Sequence, residues 1–146
     1  MVGSDIVTRE KINSKRVKKG RAPSCPCQSG EAYAQCCEPL HLGEHPRNGE
    51  ALMRSRYSAF VLGLEAYLLS SWHEETRPES LTLSPEQQWF YLKIIEATQG
   101  EHCDEYYVTF EARYRENHQV YKMCEKSHFI KDGSGILKYI DGQFIS

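Results

Sequence analysis

The sequence predicts an α+β fold in which one long helix packs on a curved antiparallel sheet, with a small cysteine-rich unit ahead of it. Three observations predict this. Within residues 49–72, Met53, Tyr57, Phe60, Val61, Leu64, Tyr67 and Leu68 recur at three- and four-residue steps, drawing one apolar stripe along a helix. Residues 106–115 and 119–130 instead alternate from one face to the other, the period of strands. Ahead of both, Cys25, Cys27, Cys36 and Cys37 gather four thiols within thirteen residues. A helix apolar on one side needs a partner, and the downstream strands supply it by curving around the stripe into a cone.

Length and composition set the frame. A chain of 146 residues suits one ordinary domain with a small appendage, and 40% hydrophobic content supports a core. No apolar run approaches a membrane span. The N-terminus is basic but has neither the apolar run nor the cleavage signature of a signal peptide. Six cysteines without an export signal favour metal binding in a reducing cytoplasm over a disulfide framework. The net charge of −2 is unevenly placed: residues 9–21 carry seven Lys or Arg against one Glu, so that segment is +6 and the rest −8. Residues 1–22 therefore read as a disordered basic leader. The competing reading is a segment that binds nucleic-acid phosphates, although no aromatic residues are interleaved for stacking.

The cysteines carry the clearest chemistry. A tetrahedral zinc ion takes four soft ligands, and two close pairs joined by a short turn can supply them. Pro26 fixes φ between the first two thiols, and Ser29-Gly30 lets the backbone reverse. Cross-turn disulfides, a redox pair or four plain thiols are the alternatives, and ligand number and spacing favour metal. Four thiolates leave no position open for water or substrate, so such a site is structural, one zinc per chain. His41 and His45 follow closely enough to compete as ligands. A loop of this size, residues 23–43, buries almost no core of its own, so its folding free energy should come from the metal. Residues 44–48 form a polar linker to the cone at 49–146. Cys103 and Cys124 read as ordinary thiols.

Cys-Pro-Cys-Gln-Ser-Gly, then Tyr33 and Cys36-Cys37, resembles the SEC-C motif at the C-terminus of the SecA translocation ATPase, although that motif commonly ends in Cys-His. The residues that follow are Pro39-Leu40-His41, the run Ala51-Leu52-Met53-Arg54-Ser55-Arg56-Tyr57-Ser58-Ala59-Phe60, Trp72-His73 and Thr76-Arg77-Pro78. In that order they resemble the YchJ family of small bacterial SEC-C proteins. The resemblance implies a nuclear-transport-factor-2-like cone behind the zinc knuckle. From SecA it implies a docking role, since such knuckles contact the export chaperone SecB and the ribosome.

The remaining elements follow in order. Gly63 should be tolerated inside the long helix at a cost of about 1 kcal/mol. Ser84-Pro85-Glu86-Gln87 has the N-cap, the N1 proline and the capping-box glutamine of a helix start, but one of short extent, because residues 89–99 then read as a strand. Asn117-His118 and Asp132-Gly133 mark turns, and a last strand over 137–140 ends near Asp141-Gly142. On the 119–130 strand, Tyr121, Met123, Glu125, Ser127 and Phe129 share one face, and Lys122, Cys124, Lys126, His128 and Ile130 the other. If the first set points inward, Glu125 could act as a general base beside Tyr57 or His73. The preferred reading is a buried ion pair with Arg54 or Arg56. Arg54, Arg56 and Tyr57 could form an anion site, with plain surface charge preferred. His73 at the helix C-terminus is explained by a protonated ring facing the helix dipole. No Ser-His-Asp set, phosphate loop or dinucleotide fingerprint is present.

The leading expectation is therefore a zinc-binding adaptor of the bacterial cytoplasm, not an enzyme, whose knuckle holds a small basic surface for a protein or ribosome-associated partner. A small-molecule enzyme or carrier using the cone cavity is the first alternative, and it requires a cavity lined by at least two convergent polar side chains. Nucleic-acid binding through the leader is the second.

Overall fold

The computed structural model describes residues 22–102 and 104–145; the basic leader and Cys103 lie outside them. A 3-10 turn at Tyr33–Gln35 leads into α1 (Glu38–His41), α2 (Gly49–Leu62) and α3 (Glu65–Ser70). Four strands follow: β1 (Gln88–Gln99), β2 (Glu105–Glu116), β3 (Gln119–Lys131) and β4 (Leu137–Phe144). They form one antiparallel meander in the order β1-β2-β3-β4. This is the α+β cone that the alternation and the apolar stripe require. Among the described residues no helix is long and apolar enough to cross a membrane.

The long helix is two helices. Gly63 takes φ 74°, its amide closes on the Ala59 carbonyl, and the Leu64 amide follows to the same oxygen at 2.9 Å. Glycine adopts this left-handed cap without the Cβ penalty other residues meet, so α2 stops there instead of tolerating it. The break re-aims α3. Leu68 becomes fully buried, and the Tyr67 hydroxyl lies 2.7 Å from Ser55 Oγ.

α2 is covered on more than one side. Met53 and Tyr57 pack with Leu92, Val108, Phe110 and Phe129 of the sheet. Ser55, Ser58 and Ala59, none of them part of the apolar stripe, are wholly buried, whereas Val61 is exposed. Small residues let another segment approach a helix closely, and the two hydroxyls are satisfied there. Ser55 Oγ donates to the Leu52 carbonyl at 2.8 Å, and Ser58 meets cysteine sulfur. Cys25, Cys27 and Cys37 therefore belong to the same buried cluster as Leu52 and Phe110, so the cysteine unit does bury core.

The helix start is set by Asn48, whose Oδ1 accepts the Ala51 amide at 2.8 Å. The next residue, Gly49, presses on β2, where an added Cβ would lie 2.6 Å from Tyr106 Cβ. Gly49→Ala should therefore cost about 1–3 kcal/mol by overpacking, despite alanine's better helix propensity. Chemical denaturation checks this, and an unchanged midpoint would show that the helix end lifts freely.

Two sequence expectations in the sheet need correction. Ser84–Gln87 is only a turn, with the Gln87 amide on the Ser84 carbonyl at 3.1 Å. β1 begins at the next residue and leaves no length for a helix. β4 does not end near Asp141-Gly142 but runs to Phe144, a register shift opposite His128/Phe129 absorbing the irregularity. Asn117 and His118, with φ of 53° and 66°, make the two-residue hairpin turn expected between β2 and β3.

Both outer strands meet non-strand segments. At the β1 bulge, Phe90 falls out of register with β2 and its carbonyl accepts Gln28 Nε2 at 2.9 Å. On β4, the Tyr139 amide donates to the Ser71 carbonyl at 2.9 Å, and its carbonyl accepts the His73 amide at 2.7 Å.

Candidate metal centre

A miniature hairpin carries the first two cysteines. Ser24 pairs with Ala32, the Cys25 amide donates to the Glu31 carbonyl, and left-handed Gln28 (φ 65°) and Gly30 (φ 91°) reverse the chain. Tyr33–Gln35 then turns Cys36 and Cys37 back toward the first pair. The four Sγ atoms lie within 4.8 Å of one another, with Cys27–Cys36 at 3.5 Å and Cys36–Cys37 at 3.9 Å. Zn–S bonds of about 2.3 Å in a tetrahedron require sulfur–sulfur edges of about 3.8 Å, so the donor set fits a metal ion in both type and spacing.

The thiols sit on a prepared surface. Ser58 Oγ lies 3.4 Å from Cys37 Sγ and 3.5 Å from Cys25 Sγ, and Ser29 Oγ lies 3.3 Å from Cys36 Sγ. Arg54 Nη1 donates to the Cys27 carbonyl at 2.8 Å and lies 3.8 Å from its sulfur, while Glu50 steadies Nε at 3.0 Å. Such contacts orient ligands and offset thiolate charge. Hydrogen bonds from Cys25 and Cys37 hold the Cys27 thiol well below its ordinary range. Cys37 is pushed up by its bonds to Cys25 and Cys27, and burial pushes Cys36 up to about 11. A metal bound by these thiols must displace their protons, so its affinity rises with pH.

Sequence reasoning missed Ser58 and misassigned Arg54. The signal available was the pair of serines three residues apart on the helix, small enough for close approach. The histidine competitors do not reach the thiols. His41 Nδ1 lies 2.7 Å from the Tyr33 hydroxyl and Nε2 lies 2.8 Å from the Ser55 carbonyl, so both ring nitrogens are committed. His45 is exposed in the linker and outside the thiol cluster.

The His41 geometry gives a pH prediction. Nε2 must donate to the Ser55 carbonyl, while the Tyr33 hydroxyl can either donate to or accept from Nδ1. Burial holds the ring's pKa below the ordinary value, partly offset by the Ser55 carbonyl. A base depressed on folding contributes stability above its unfolded pKa and loses it as pH falls toward the folded one. Unfolding free energy should therefore decline as pH falls below about 6.5, and His41→Gln should flatten that slope. Parallel slopes in the two proteins would assign the decline elsewhere.

The remaining candidates separate. Arg54 lies at the thiols, whereas Arg56, Tyr57, Glu125 and Ser127 line a cavity of about 160 Å³ inside the cone. Arg54, Arg56 and Tyr57 therefore make no common anion site, and Arg56 is not surface charge. It is buried, its Nη1 bonds the Leu68 carbonyl at 2.9 Å and Ser71 Oγ at 2.7 Å, and it stacks on Trp72 and Tyr139. Burial lowers its pKa to about 10. The expected Glu125 ion pair does not form. Glu125 Oε2 instead accepts Ser127 Oγ at 3.0 Å and the Tyr139 hydroxyl at 3.2 Å. His73 is buried but stands apart from Glu125, and its Nδ1 accepts the Glu75 amide at 3.1 Å. That bond needs a lone pair on Nδ1, so a protonated ring facing the helix dipole is not its role. Of the inward face, Phe129 and Ser127 are buried, while Tyr121 at its far end is exposed. Cys124 is an unpaired thiol.

A cysteine quartet seated on the helix of a four-stranded cone defines a SEC-C-bearing protein of the NTF2-like class. Residues 24–39 match the SEC-C motif, and residues 48–142 match the family described as YchJ, middle NTF2-like domain. The chain belongs to the YchJ family. It is 40% identical over 128 residues to a UPF0225 protein of Vibrio parahaemolyticus, covering 84% of this chain and 76% of that one. A UPF0225 protein of Streptomyces coelicolor is 38% identical over 84% of this chain and 97% of its own. The crystal structure of a SEC-C motif-containing protein from Psychrobacter arcticus superposes with a TM-score of 0.67 at 23% identity, over 85% of this chain and 81% of that one. That likeness concerns the fold.

Proposed function

We propose that this protein is a zinc-loaded docking module of the bacterial cytoplasm. Cys25, Cys27, Cys36 and Cys37 hold one structural zinc ion, and the surface they stiffen receives a protein partner of the export or translation machinery. The carrying observation is the thiol quartet fused to α2 through Ser58 and Arg54. A site with four thiolates has no open position for chemistry, so its work is to hold shape.

Beside half-exposed Cys36 runs a groove of about 530 Å³. It carries Glu31, Glu44 and Glu50 against Arg47 and Arg54. Its charge is mixed, so the small basic surface expected of the knuckle is not found in this groove. The choice of partner follows the SEC-C analogy with SecA.

Native mass spectrometry should return one zinc per chain. The loaded full-length protein should co-sediment with ribosomes or co-elute with the export chaperone SecB, and Arg47→Glu should weaken that binding while the metal stays bound. A loaded chain that binds neither sinks the docking reading. Retention that vanishes only on deleting residues 1–21 transfers the contact to RNA and the leader.

A further inference from the structure

The cone interior holds opposite charges that do not touch. Arg56 and Glu125 line the same cavity, yet no ion pair joins them. Arg56 is 6% exposed and spends only Nη1 on protein acceptors, so Nε and Nη2 make no hydrogen bond among the described residues. Glu125 spends only Oε2, on Ser127 and Tyr139, and Oε1 makes none. These atoms are not sealed from solvent, so they are open to a ligand in the cavity, whereas the Tyr57 hydroxyl on the same wall is buried with no hydrogen-bond partner among the described residues.

The cavity that both groups line is small and rich in aromatic rings. Trp72, Trp89, Phe60 and Phe110 supply rings, and Met53 and Met123 supply adaptable filler. About 160 Å³ is close to the volume of the engineered protein cavity known to take up benzene. The cavity's charges already balance, so a further net charge among these walls would be desolvated without compensation. We propose that the cone binds a small, uncharged, planar amide, with its carbonyl oxygen accepting from Arg56 and its N–H donating to Glu125. This inference stands independently of the docking role.

The only two tryptophans of the chain, Trp72 and Trp89, both line the cavity, so their fluorescence reports occupancy directly. The probes are benzamide, benzene, benzoate and benzylammonium, each titrated into the full-length metal-loaded protein to on the order of 10 mM, the range expected for ligands this small. Benzamide should give a saturable change and bind about tenfold more tightly than the other three, the scale of one charge-assisted hydrogen bond. Glu125→Gln, with its fold checked by the amide NMR spectrum, should weaken benzamide about tenfold and leave benzene unchanged. Ala112→Leu, which fills the cavity from a buried lining position, should abolish all binding. No response in the wild type overturns the proposal, as does benzene binding as well as benzamide, which would make the cavity a plain apolar void. Tighter binding of either charged probe, an unchanged benzamide affinity in Glu125→Gln, or retained binding in Ala112→Leu overturns it equally.

Discussion

Cys27→Ser should lower the melting temperature of the whole chain by about 10–15 °C, not merely loosen its first residues. A separate knuckle would unfold alone when its metal is lost. Here Cys27 is fully buried, Cys25 and Cys37 share its cluster, and the sulfurs rest on Ser58 in the middle of α2. Losing the metal therefore opens a face of the central helix. Metal-binding free energy is folding free energy in such sites, and a loss of roughly 3–5 kcal/mol is within the range of single-site effects with a named cause. For a domain of this size each kcal/mol moves the transition by about 3 °C. Circular-dichroism melts with and without added zinc provide the measurement, with Cys124→Ser as a control that should melt like the parent. A shift in Cys27→Ser no larger than in that control would mean that the cone ignores its N-terminal unit.

Arg56→Ala should be almost as damaging, at about 3–5 kcal/mol. The guanidinium ties α2 to the end of α3 through Leu68 and Ser71, and its plane lies 4.5 Å from the Tyr139 ring centre and 5.2 Å from that of Trp72. Truncation removes both bonds and both stacks, and it leaves the Glu125 carboxylate without the opposite charge across the cavity. Arg56→Met fills similar volume. Ser71 Oγ keeps its bond to the Leu68 carbonyl in that variant, so the cost should fall to about 1 kcal/mol. Urea denaturation of the two variants side by side makes the comparison. Equal losses in both would show that charge, not packing, holds the position.

The parts of this molecule that were legible in its sequence are those where chemistry leaves one choice. Four thiols in two close pairs suit a metal ion by number and spacing, and clean alternation over 106–115 and 119–130 admits only strands. α2 was harder to read. Its stripe was drawn from apolar residues alone, so it left out Ser55, Ser58 and Arg56. They are buried because the helix has neighbours on several sides, and polar groups tolerate that when each finds a partner. No periodicity announces which hydroxyl will meet a sulfur 21 residues earlier. Gly63 was misjudged for a related reason. A propensity cost of about 1 kcal/mol describes glycine inside a helix, and says nothing of its advantage when tertiary contacts reward a left-handed stop. The partner of Glu125 was chosen by charge, whereas the structure supplies the hydroxyls of Ser127 and Tyr139.

An open sheet leaves two unpaired flanks, each a template onto which a second polypeptide can add itself. In this molecule Gln28 occupies the Phe90 carbonyl on one flank, and the stretch from Ser71 to His73 occupies Tyr139 on the other. The first of these guards hangs on the cysteine hairpin, so stripping the metal should do more than soften the fold. It should free the β1 flank for intermolecular strand addition, seen as light scattering that grows with protein concentration and reverses when zinc is restored early.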